Sequence, residues 1–189
     1  RRVFVGLTAF ARQWDEPVFD GSPIAPGGRL RFQMLGSATS ARSTVQLEGT
    51  PRYWRATADL QMPWVVRRLR VEPTLSAVIG ERTPLQNSAY LGGDNAGFPG
   101  FKIQELRGAQ AAMATLQLSH PLYGPVSLRA AVAGGALQRD DHGFFRNARG
   151  YFGASAGFGI STALGPVVIE IGGNDHGRYN LWFRFGDWF

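Results

Sequence analysis

The sequence predicts an all-β protein, an antiparallel up-and-down transmembrane β-barrel of about ten strands. Three observations carry that prediction. Segments throughout the chain alternate apolar and polar residues with period two, the pattern of strands whose faces meet different surroundings. Charge collects on one alternating face only. The connections sort by length, long loops at one end of the strands and short turns at the other. One barrel domain spans 1–189.

Composition agrees. The chain has 25 glycines, no cysteine and a net charge of +6. Mean hydropathy is −0.14, and no run of about 20 apolar residues offers a transmembrane helix. Alternating barrel strands leave mean hydropathy unremarkable. Without cysteine there is no disulfide framework and no thiolate metal site. Nineteen of the basic residues are Arg, and Lys102 is the single Lys. No basic helix, zinc finger or RNA-binding aromatic motif accompanies them, so no nucleic-acid partner is expected. A basic barrel lumen is the alternative use for this charge. The chain opens at Arg1 without a charged n-region, apolar h-region or cleavage site. A mature form or a fragment is expected, with a signal peptide encoded upstream.

The elements follow in order. Val3 to Ala11 is the first strand, and the Pro-, Gly- and Asp-rich stretch from Trp14 to Gly28 reads as a long loop. Arg29 to Leu35 sets Leu30, Phe32 and Met34 against Arg29, Arg31 and Gln33. After the polar turn at Ser37 to Ser43, Val45 and Leu47 alternate with Gln46 and Glu48. Two clean strands follow. In Tyr53 to Met62, Trp54, Ala56, Ala58 and Leu60 oppose Arg55, Thr57, Asp59 and Gln61. In Arg68 to Ile79, Leu69, Val71, Leu75 and Ala77 oppose Arg68, Arg70, Glu72 and Thr74. Pro73 lacks a ladder donor and should mark a bulge or break. Pro63-Trp64-Val65 reads as the short link between these two strands. A Gly-rich loop then runs from about Glu81 to Gly108. The remaining strands centre on Ala112 to Leu118, Val126 to Val132, Phe152 to Ile160, Val167 to Ile171 and the terminal segment. Their links are the turn SHPLYGP, the loop from Arg139 to Gly150, a short ALGP turn and the loop GGNDHG.

The last segment, RYNLWFRFGDWF, places Tyr179, Leu181, Phe183, Phe185 and Phe189 on one face. Asn180, Trp182, Arg184, Gly186 and Trp188 take the other. This segment resembles the terminal strand of bacterial outer-membrane barrels, whose final Phe is read by the barrel assembly machinery. Asp187 stands where those strands usually carry an apolar residue. The resemblance implies a bacterial outer-membrane location, with outer-membrane lipids and the assembly machinery as partners. Counted back from a periplasmic terminus, the loops at Trp14, Glu81, Arg139 and Gly172 fall on the outer side.

The loop YLGGDNAGFPGFKIQELRG, from Tyr90 to Gly108, resembles a loop of the outer-membrane insertase and secretion superfamily, the bacterial surface antigen type. Within it, the chain is similar to the barrel attached to patatin-type secreted phospholipases. The matching residues are Gly92, Gly93, Phe98, Gly100, Glu105, Leu106 and Gly108, with Arg107 as the tip arginine. Ala109 replaces an aromatic residue of the family pattern. The resemblance covers about Tyr90 to Phe189. It implies protein transport: a barrel moving or inserting a polypeptide, with this loop folded into the lumen and Arg107 meeting an acidic residue on the wall. A guanidinium entering a polar lumen needs a carboxylate; Glu170, Glu72 and Asp59 are the candidates. That family's barrel has roughly sixteen strands. Two copies, or this chain and a partner membrane protein, would combine strands into a wider wall.

Enzymatic signals are weak. Gly153-Ala154-Ser155-Ala156-Gly157 matches G-x-S-x-G, but a nucleophile elbow needs strand, turn and helix, and this match lies inside an alternating strand. His142 beside Asp140 and Asp141, and His176 beside Asp175, are too local to define a metal cage. No catalytic residue, metal or cofactor is assigned. Two further readings stand beside transport: a small structural or pore-forming barrel, and an outer-membrane lipid-modifying enzyme.

Overall fold

The computed structural model describes residues 2–13, 24–35, 41–50, 53–82, 88–92, 98–140, 143–162 and 165–186. Among them there is no helix, and one antiparallel sheet dominates. Its strands are β1 (Arg2–Gln13), β2 (Ile24–Leu35), β3 (Arg42–Thr50), β4 (Tyr53–Gln61), β5 (Trp64–Val66), β6 (Leu69–Glu81), β9 (Gln110–Tyr123), β10 (Val126–Gln138), β11 (Arg149–Thr162), β12 (Gly165–Asn174) and β13 (Tyr179–Phe185). The short pair β7 (Ala89–Tyr90) and β8 (Arg107–Gly108) forms a separate two-stranded ribbon within the long loop. The main sheet is an up-and-down meander in the order β1-β2-β3-β4-β6-β9-β10-β11-β12-β13, and β5 also pairs with β6. No pairing joins β1 to β13 among the described residues, so each has one edge without a neighbour.

The two faces are sorted as the alternation predicts, but with the usual direction of burial reversed. On β11, Phe152, Ala154, Ala156, Phe158 and Ile160 are exposed, while Tyr151, Gly153, Ser155 and Gly159 are buried. On β12, Ile169 and Ile171 are exposed while Val168 and Glu170 are buried. Leu181 is 70% and Phe183 67% exposed, against 4% for Glu170. On β11 to β13 the apolar face is therefore the more exposed one and the polar face the more covered, whereas Asp59 of β4 and Arg70 of β6 on the polar face are exposed.

The hydrophobic core lies under the long loop. Ala89, Leu91, Phe98, Phe101 and Leu106 of the loop pack with Ala111, Ala133, Leu137 and Tyr151, which project from the otherwise polar face of β9 to β11. At the opposite end, that same face encloses a hollow of about 640 Å³ lined by residues of β6, β9, β10, β11 and β12. Lining drawn from five adjacent strands means the sheet curves around its polar side.

Several boundaries differ from the sequence expectation. Ile24 to Gly28 belongs to β2, because Gln13 to Ala9 of β1 pair with it residue by residue. The β3 pairing reaches only Gly28, so Pro26 sits where one strand side has no ladder to supply. Trp64 to Val66 is a strand paired with β6, and the tight turn lies at Arg67-Arg68, where Arg67 has φ 57. Pro73 does not break β6: it pairs with Leu116, and its carbonyl accepts the Met62 N–H at 3.1 Å. The interruption falls on the neighbouring strand, at Met62-Pro63, between β4 and β5. Likewise Ser119 to Tyr123 of the expected SHPLYGP turn continues β9, with a register shift at Val126 and Ser127. A bulge there lets Pro121 sit in a strand without a regular ladder donor.

Candidate functional site

The most elaborate local structure is the docked segment from Phe98 to Gly108. Phe98-Pro99-Gly100-Phe101 is a tight turn closed by the Phe101 N–H donating to the Phe98 carbonyl at 2.9 Å. Pro pre-sets the second position, and Gly100 supplies φ 78 at the third, the requirement of a type II turn. The turn tip rests on β11 to β13. A Cβ at Gly153 would stand 2.8 Å from Pro99 Cβ, so only glycine lets the loop approach this wall.

Asn180 of β13 holds the tip at two points. Its Oδ1 accepts the Gly100 N–H at 2.8 Å, and its Nδ2 donates to the Phe101 carbonyl at 2.7 Å. Thus one side chain pairs two backbone groups that a plain apolar pocket would leave unsatisfied. Phe98 is fully buried, with its ring edge-on to Tyr151 at 6.3 Å. Tyr151 in turn stacks on His176 at 5.3 Å. Arg178 lies 4.7 Å above the Phe101 ring and bonds Glu105 at 2.6 Å. The Lys102 N–H donates to Glu105 at 2.8 Å. That backbone bond, with desolvation opposing and the Arg178 guanidinium assisting, holds the Glu105 carboxyl below its usual range.

The remaining sequence-selected residues fall as follows. Leu106 is buried in the core, and its carbonyl accepts the Leu91 N–H at 2.9 Å. Gly108 pairs with Ala89 and packs against the Gln138 backbone. Arg107 pairs with Tyr90 on β8 and is exposed. The wall carboxylates expected for it are engaged elsewhere. Glu170 accepts Arg129 Nε at 2.9 Å and is bonded by Arg184 Nη2. Glu72 meets Arg70 Nη2 at 2.9 Å and also accepts Gln61 Nε2. The ion pairs foreseen between Arg107 and Glu170 or Glu72 are therefore replaced by pairs among strand residues. The physical reason is reach: Arg129 and Arg184 stand on the strands either side of the β11–β12 pair, whereas β8 places Arg107 at the loop end. Leu181, Phe183 and Phe185 are exposed on the apolar face of β13. Gly93, Asp187 and Phe189 lie outside the described residues.

The G-x-S-x-G match is β11 throughout. Ser155 is buried on the polar face, and a Cβ at Gly157 would stand 2.6 Å from Glu170 Cα. These glycines make room for the loop and for the Glu170 ion cluster. Among the described residues no group of three or more His, Asp or Glu could hold a metal ion. No described helix is long and apolar enough to cross a membrane.

Sequence reasoning missed Asn180, Arg178 and Arg129 as organising residues. The available signals were Pro99-Gly100, a turn dipeptide, and a lone amide on the polar side of the most aromatic strand. No family model matches the chain, and no curated protein matches it.

Proposed function

We propose that the chain forms the wall of a bacterial outer-membrane β-barrel that helps move or insert a polypeptide at that membrane. The observation that carries the membrane part is the inverted sorting of faces. Large apolar side chains on β3, β6 and β9 to β13 are exposed, while the charged side chains Glu48 and Glu170 are buried. In water this arrangement leaves a broad apolar surface uncovered. In a bilayer it matches each face to its surroundings, and an Arg turned outward at mid-depth would cost roughly 2–4 kcal/mol.

The transport part rests on the loop resemblance and on two features of the sheet. The segment from Phe98 to Gly108 sits on the polar face, where it would narrow a passage enclosed by that face. The outer edges of β1 and β13 carry no partner among the described residues. Such edges can accept an incoming strand, or join a second copy or partner protein. The hollow at the short-turn end favours a second reading, a small pore.

Reconstitution into liposomes tests both. Faster insertion of a labelled outer-membrane client than in empty liposomes supports transport. Ion conductance without client insertion leaves the pore. Lipid hydrolysis alone would instead assign a lipid-modifying enzyme.

A further inference from the structure

The hollow at the short-turn end of the polar face is lined by more positive charge than the carboxylates in and beside it neutralise. Register places Arg70, Ser119, Arg129, Gly157 and Glu170 in one row across β6, β9, β10, β11 and β12. Arg70 and Arg129 are two strands apart, a Cα separation of about 10 Å. Two long side chains spanning that gap can converge on a group placed between them. Arg68, one step nearer the turn, lines the same hollow with Gln117 and Ser127.

The charge does not balance. Glu72 is met by Arg70, and Glu170 is shared by Arg129 and Arg184. Four guanidinium groups thus face two carboxylates. Arg68 makes no ion pair or hydrogen bond with a described residue, and Arg129 commits only its Nε. The other nitrogens of Arg129 remain for a ligand. A Cβ at Gly159 would stand 3.1 Å from Arg129 Cδ, so glycine there lets the arginine lie across β11 and into the hollow. Uncommitted guanidinium donors beside the Ser119 hydroxyl and the Gln117 amide form the donor set of an oxyanion site.

We infer that this hollow binds a phosphate-class oxyanion between Arg68, Arg70 and Arg129, with Ser119 as a neutral donor; the Ser127 hydroxyl is spent on the Gly159 carbonyl at 3.2 Å. The site depends on the polar face alone and stands whether or not the chain transports polypeptides. Free phosphate and a phospholipid headgroup share the required chemistry.

The test uses the full chain in a neutral detergent at low salt, titrated with inorganic phosphate by calorimetry. A second arm uses nanodiscs with and without phosphatidylglycerol, read by phosphorus NMR. Arg68→Gln and Arg70→Gln should each weaken binding roughly tenfold to a hundredfold, the scale of a lost charged hydrogen bond. Arg139→Gln makes the same charge change beyond the other end of β10 and should leave binding intact. Circular dichroism checks that each variant retains its sheet. Phosphate binding in detergent that is lost in both hollow variants supports the site with a soluble anion. Binding seen only with phosphatidylglycerol, and lost in the same variants, supports it with a lipid headgroup. No binding in either arm, or binding that Arg68→Gln and Arg70→Gln leave unchanged, overturns it. Equal weakening by Arg139→Gln overturns it too, because the effect would then be general charge.

Discussion

Replacing Asn180 by Ala removes both bonds that hold the loop tip. The Gly100 N–H loses its acceptor at 2.8 Å and the Phe101 carbonyl loses its donor at 2.7 Å. Both residues are buried, so water does not readily replace the lost partner. Each net hydrogen bond contributes about 1 kcal/mol, and stranding a buried group costs more. Two bonds together give about 2–3 kcal/mol against loop docking. At about 1.4 kcal/mol per factor of ten, the opening equilibrium should rise roughly 30- to 150-fold. Native-state hydrogen exchange reads this directly. The Phe101 amide, bonded to Phe98, and the Leu91 amide, bonded to Leu106, should lose protection by that factor. Amides in the middle of β10 should keep theirs, since the sheet itself is untouched. A change below about threefold at the loop amides would refute the clamp. Equal loss in β10 would show that Asn180 supports the whole sheet instead.

Three further outcomes follow from the same geometry. Gly153→Ala should destabilise the docked loop by about 1–3 kcal/mol through overpacking against Pro99, seen in loop exchange, whereas Ala154→Val on the exposed face should be neutral. Glu105 has a folded-state value below its ordinary 4.5, so its contribution is complete above that pH and is lost as pH falls through the folded value. Pepsin should therefore cleave the 98–108 segment of Glu105→Gln faster than the unaltered chain near pH 4.5, with the two converging in stronger acid. Glu170→Ala strips the shared partner from Arg129 and Arg184 and should cost about 3–5 kcal/mol in urea unfolding; a cost below 1 kcal/mol would show that water screens the cluster.

The strand faces were legible because alternation survives any error in strand ends. Phe158, Ile169 and Leu181 on one face, and Glu170 and Arg184 on the other, follow from parity alone. Boundaries were less legible where Pro and Gly lie inside strands. Ile24 to Gly28 and Ser119 to Tyr123 carry turn residues, yet a neighbouring strand pairs with each. Local propensity cannot register that pairing, which is a long-range property of the sheet. The family resemblance drew attention to the loop, which packs against residues of β9 to β11, but its anchor was not legible. Arg107 drew attention through its motif, whereas Asn180 stands 79 residues beyond Phe101 in a strand chosen for its aromatics.

In the proposed arrangement the apolar face meets lipid and the polar face does not. Spin labels placed singly from 152 to 160 on β11, in the protein reconstituted into bilayers, test it most directly. Collision with oxygen should peak at 152, 154, 156, 158 and 160, the exposed positions. Labels at 153, 155, 157 and 159 should be shielded from lipid, with period two along the strand. Uniform accessibility along β11, or a chain that stays monomeric and folded in water without detergent, would contradict that arrangement.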